Sequence, residues 1–238
     1  MKEIIVALLM LTPNLALAED VAPTEVVETV LEQKNHALGE TEVKKINEIN
    51  SAIQNGDRET AFSKLKPILS QCESRKTEAG EKIIYVDKIE EFLEFVGTSG
   101  KNGKYKWVID YCPRAYNAAA FLYVAGNDKE NAFKYLNLAS DSAPFWAEPQ
   151  NERGYFLGKL KDFQAALAAY QKAIELEDKH ESSAYVKPMS LRGMGFILTE
   201  MGELDAAQKA YENSLVLEPN NELAKNELEY IRQQKAKK

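Results

Sequence analysis

Two cysteines, two histidines and a surplus of carboxylates are the residues of this chain that could do chemistry. Cys72 and Cys112 lie 40 residues apart, without CxxC spacing, and His36 and His180 are isolated, so no metal-ligand set is spelled out. There is no GxSxG, no HExxH and no Cys and His pair in a recognisable context to supply an activated nucleophile or a metal-bound water. The carboxylate pairs Asp87 with Glu90 and Glu90 with Glu94 fall on one helix face, where solvation is the default. The segment from Gly97 to Lys104 is glycine-rich like a phosphate loop. However, Asn102 follows Lys101 where Ser or Thr is needed, the GxxxxGK spacing is absent and no apolar strand leads in, so a solvent-exposed turn is expected. These residues point to a protein that is not an enzyme and holds no cofactor and no metal.

The chain of 238 residues, with 45% hydrophobic and 28% charged positions and only 12 Gly and 8 Pro, has the composition of a folded protein. A disordered tail, a collagen-like chain and a disulfide-rich miniprotein are excluded. The 30 basic and 37 acidic residues leave a charge of −7, which repels a phosphate backbone, so nucleic acid is not an expected partner.

Residues 1–18 read as a secretory signal peptide: Lys2, an apolar run from Ile4 to Leu11, and the small residues Ala16 and Ala18 ahead of Glu19, with cleavage expected after Ala18. The run is far shorter than the roughly 20 apolar residues of a spanning helix. No cysteine follows the cleavage site to take a lipid anchor. The expected location is exported: the periplasm of a Gram-negative cell, otherwise secreted. An oxidising compartment makes a Cys72–Cys112 disulfide one reading, with two buried free thiols the other.

From Ala115 onward apolar and small residues recur at helical spacing, and the pattern repeats. Ala132 to Ala166 is 34 residues and Ala166 to Ala207 is 41, the extra seven being about two helical turns. Around these alanines stand Ala120, Leu136, Ala139 and Pro144; then Gly154, Tyr170 and Ala173, with Asp178 in place of a closing proline; then Gly195, Tyr211, Ser214 and Pro219. A large residue near the start of the unit is Tyr116 and Leu191, with Gln150 in the middle unit. The chain thereby resembles the tetratricopeptide repeat (TPR) family, here of an exported bacterial type. The resemblance implies an all-α solenoid of helical hairpins: repeats at 113–146, 147–180 and 188–221, then a capping helix and basic tail at 222–238 with Ala224, Leu228 and Ile231 on one stripe.

The amino-terminal region, 19–112, is less regular. Residues 41–75 read as a degenerate hairpin, with Val43, Ile46, Ile49 and Ile53 on its first helix, a turn at Asn55 to Asp57, and Ala61, Leu65, Ile68 and Leu69 on its second. A short helix at Thr24 to Gln33 is expected before it. Residues 76–111 form an irregular insertion: a helix from Val86 to Val96 through Ile89, Phe92, Leu93 and Val96, then the glycine-rich loop, then an aromatic stretch from Tyr105 to Tyr111 that fits a helix start or a strand.

The resemblance also implies a concave groove, lined by the first helix of each hairpin, that takes a protein or peptide partner. Its family positions are Asn117, Asn151 and Arg192 and, four residues later, Phe121, Tyr155 and Phe196. These rings either stack on an extended segment or pack between neighbouring first helices. The family's clamp for a peptide carboxyl end is not reproduced as a set. Trp107 and Trp146 read as core or inter-repeat residues, with binding anchors as the alternative. A scaffold or adaptor of the cell envelope is the leading functional reading. An immunity or inhibitor protein that neutralises a toxin and a binder of a cell-wall glycan or peptide are the rivals.

Overall fold

The computed structural model describes residues 40–75, 81–86, 88–99, 104–108, 111–181 and 183–237. The signal-peptide reading of 1–18, the helix at Thr24 to Gln33 and His36 lie outside the described residues. Among the described residues the order is α1 (Glu40–Gln54), α2 (Arg58–Glu73), β1 (Glu81–Tyr85), α3 (Ile89–Ser99), β2 (Lys104–Val108), α4 (Cys112–Ala125), α5 (Lys129–Ser142), α6 (Glu148–Lys159), α7 (Phe163–His180), α8 (Val186–Glu200), α9 (Leu204–Leu217) and α10 (Glu222–Lys235). Helices pair as antiparallel hairpins, α4 with α5, α6 with α7 and α8 with α9, stacked in an all-α solenoid.

One turn builds four hairpins. Five residues before Ala61, Ala132, Ala166 and Ala207 stand Gly56, Asn127, Lys161 and Gly202, each with left-handed backbone (φ 73°, 57°, 61° and 79°). The next residue closes each turn: the N–H groups of Asp57, Asp128, Asp162 and Glu203 donate to the carbonyls of Ala52, Tyr123, Leu157 and Leu198 at 2.9–3.0 Å, a Schellman ending. Asp57, Asp128 and Asp162 then cap the second helix, their side chains accepting from the N–H of Thr60, Asn131 and Ala165. The α1–α2 hairpin thus shares the backbone plan of the three regular ones.

The glycines and tyrosines explain each other. A Cβ on Gly154 would lie 2.7 Å from the Tyr170 ring, one on Gly193 would lie 2.3 Å from it, and one on Gly195 would lie 2.7 Å from Tyr211. Tyr170 therefore fills the space between the first helix of its own hairpin and that of the next, which small residues alone leave open. In the first regular hairpin Ala120 replaces the glycine and Leu136 the tyrosine, both fully buried.

The seven extra residues before the last hairpin are divided between helix and loop. α7 has 18 residues against 14 in α5 and α9, and Glu181 ends it in left-handed backbone. Glu177 fastens that loop by accepting from the Ser183 N–H at 2.8 Å. At the other end of the stack α10 buries Ala224 and Ile231 against α9, with Leu228 packed beside them.

The insertion departs from helical periodicity. β1 and β2 pair in parallel, Glu81 opposite Lys104 through Tyr85 opposite Val108, and α3 is the crossover that a parallel pair needs. The aromatic stretch is therefore a strand over Lys104–Val108. α3 starts at Ile89 rather than Val86 and runs through Gly97 to Ser99, shortening the expected loop. Leu93 is exposed and Phe95 takes its inward place, packing with Ile84, Val86 and Phe92. Phe95 meets Phe145, which stacks on His180 at 4.1 Å, and Lys179 pairs with Glu94; the insertion thus leans on the α5–α6 connection and the end of α7. Cys72 and Cys112, both buried, form a disulfide (Cα–Cα 5.7 Å) that ties α2 to the start of α4 across the insertion.

Candidate functional site

The first helices α4, α6 and α8 pack side by side, whereas the second helices α5, α7 and α9 do not pack on one another to the same extent. The stack therefore curves with its first helices on the inner face. One turn of α4, α6 and α8 presents Phe121, Tyr155 and Phe196 at equal positions, 37%, 47% and 52% exposed. The three rings are exposed to solvent rather than buried between first helices. Trp107 and Trp146 are half-buried and spend their indole N–H groups internally, on the Val86 carbonyl (2.8 Å) and the Ser183 hydroxyl (3.3 Å).

One turn earlier, Asn117 and Asn151 are buried, at 6% and 5% exposure, and bridge neighbouring first helices. Asn117 Nδ2 donates to Glu148 Oε1 at 3.1 Å, and Asn151 Oδ1 accepts from the Ser190 hydroxyl at 2.9 Å. Arg192 is drawn aside into an ion pair with Glu218, which also accepts from Asn221 Nδ2. The six positions read as a groove thus divide: the three rings are open, the two amides join repeats and the guanidinium is engaged. Among the described residues, Asn117 Oδ1 is buried with no hydrogen-bond partner.

The inner face also carries residues that the sequence reading passed over. Glu148 and Glu152 stand one turn apart on α6, on the side of Asn151 and Tyr155. The Glu148 carboxylate accepts from Asn117 and from the Tyr185 hydroxyl. Its pKa is raised by burial, partly offset by Tyr185, Arg114 and Asn117. Among the described residues Glu152 accepts only from Asn151 Nδ2, at 3.3 Å. Burial and, after it, the Glu148 charge push its pKa up to about 7. Glu152 in turn raises the nearby Tyr170 phenol, after the larger effect of burial. Arg114, whose charge lowers the Glu148 pKa, lies over the Trp146 ring, 5.7 Å from its centroid. The signal available in the sequence was two acids at helical spacing beside a groove position, which an ordinary solvated face shows as well. Asp87 lies outside the described residues, Glu90 is exposed and Glu94 pairs with Lys179, so the carboxylate pairs first singled out form no such site.

Comparison with known proteins agrees with this architecture. The family profile described as tetratricopeptide repeat matches residues 147–180, which hold α6 and α7. Among curated proteins, Protein bimA of Emericella nidulans is 25% identical over 109 residues, 46% of this chain and 13% of that protein, so the chain spans a small fraction of its relative's length. A solved structure titled as the functional characterization of Pseudomonas aeruginosa pilF superposes with a TM-score of 0.58 at 15% identity, over 82% of this chain and 69% of that one. The first TPR of Spaghetti (RPAP3), solved with the HSP90 peptide SRMEEVD, is 25% identical over 54% of this chain and 99% of its own, with a TM-score of 0.49. The chain carries a segment at 147–180 that matches the tetratricopeptide repeat, set in an all-α solenoid whose neighbouring hairpins share its turn.

Proposed function

We propose that this protein is a non-enzymatic scaffold or adaptor of the cell envelope that holds an extended segment of a partner protein along the inner face of its stack. The observation that carries the reading is the row of Phe121, Tyr155 and Phe196, open at one position on three successive first helices. Exposed large rings at a fixed spacing forgo the burial that a core would give them, and a row of rigid aromatic anchors suits a chain laid across the repeats.

Export is part of the proposal. The signature of residues 1–18 supports it, and so does the buried Cys72–Cys112 disulfide, which persists in oxidising compartments and is rare in a reducing cytosol. Among the described residues no helix is long and apolar enough to cross a membrane. The periplasm is the proposed location in a Gram-negative host, and the exterior otherwise.

The test is affinity capture from envelope extract by the mature chain beside its Phe121→Ala, Tyr155→Ala, Phe196→Ala variant. A partner retained in stoichiometric amount by the first and lost by the second, at equal helicity by circular dichroism, is the expected result. Equal retention by both would overturn the groove reading. Sequencing of the secreted chain checks export: it should begin at Glu19, and an uncleaved chain in the cytosol would remove that part.

A further inference from the structure

Around Glu152 the inner face holds hydrogen-bond acceptors in excess of donors. Asn117 spends its amide N–H on Glu148, and its Oδ1, on a side chain more than nine-tenths buried, meets no donor among the described residues. Both Glu148 oxygens are occupied, by Asn117 and Tyr185. Among the described residues Glu152 has no cationic partner, and its single hydrogen bond is the 3.3 Å contact with Asn151. A neutral carbonyl or an acidic group brought here would add acceptors to acceptors. What is missing is a positively charged group with several N–H donors.

The walls fit the same kind of group. Tyr155 follows Glu152 by three residues on α6, and Phe121 follows Asn117 by four on α4, so an open ring stands one turn from each polar element. A guanidinium offers five donors in a plane and stacks on aromatic faces, and an ammonium sits over them. Resting on the groove reading above, we infer that the inner face is selective for a basic side chain, arginine or lysine, carried by the extended partner segment and held between Glu152 and the Asn117–Glu148 pair with Phe121 and Tyr155 beside it. The net charge of −7 favours approach of such a segment.

The experiment uses fluorescent nonapeptide pools of otherwise random sequence with Arg, Lys, Gln, Leu or Glu fixed at the centre, titrated by anisotropy against the mature chain, Glu152→Gln and the Phe121→Ala, Phe196→Ala variant. The Arg and Lys pools should bind the unmodified chain about tenfold more tightly than the Gln and Glu pools, the scale of one charge-assisted contact. Glu152→Gln should bring all pools to equal affinity while melting cooperatively and no less stably than the unmodified chain, and the aromatic variant should weaken every pool. Pools that bind without regard to the central residue, or that favour Glu, overturn the selectivity and leave the groove in place. Failure of every pool to bind removes the groove reading and the inference together.

Discussion

At the scale of single residues, the pairing of Gly154 with Tyr170 makes a prediction with two parts. Gly154→Ala places a methyl 2.7 Å from the ring. Its helix-propensity gain of about 0.5–1 kcal/mol is smaller than the roughly 1–3 kcal/mol that overpacking costs, so the variant should be less stable in urea melts. Adding Tyr170→Leu should cost less than the two single changes summed, because the result is the Ala120 and Leu136 pair of the preceding hairpin; simple additivity would contradict the reading. Glu152 yields a second prediction, from pH. Its folded-state pKa is raised to about 7, so the folded chain binds the proton more tightly than the unfolded one. Stability from this group is complete below the ordinary glutamate range and is lost as pH rises through about 7. Glu152→Gln should therefore raise the melting temperature at pH 8, by about 1–3 kcal/mol of stability, and have little effect at pH 4. A variant less stable at pH 8 would show that the carboxylate supports the fold instead.

At the scale of elements, the four turns are one design carried by different residues. Lys161 adopts at φ 61° the backbone that Gly56 and Gly202 adopt freely, and Glu203 stands where three aspartates cap without making a side-chain cap itself. Lys161→Gly should add about 1 kcal/mol by relieving the left-handed Cβ contact, and Glu203→Asp about 0.5–1 kcal/mol by restoring the cap. Thermal melts of the two variants check this, and a drop for either would sink it. The hairpins were legible in the sequence because each turn precedes its alanine by the same five residues and each contact lies within one unit or its neighbour. The strands were not. Glu81–Tyr85 and Lys104–Val108 are five residues each, too short for a firm alternation, and each finds its partner across a helix. The open rings were legible as positions and not as exposure, since position does not tell how far apart the first helices stand. Asn117 illustrates the limit: it was read as a groove position, but its burial and its engagement with Glu148 depend on a neighbouring helix that sequence does not put beside it.

At the scale of the molecule, the degenerate hairpin, the insertion and the regular repeats are fastened at separate points. Arg58 donates to the Leu122 carbonyl at 3.0 Å, closing the end of α4, and the Tyr135 hydroxyl donates to Glu73 at 3.0 Å. The disulfide adds a covalent tie whose removal by Cys72→Ser with Cys112→Ser should cost about 3–4 kcal/mol in the chain-entropy picture, read from urea melts under non-reducing conditions; an unchanged midpoint would argue against it. That tie also makes the segment from Cys72 to Cys112 a closed ring within a linear polymer. A protease that severs one peptide bond inside the ring opens it without dividing the molecule, and the two pieces part company only when a reductant follows the blade.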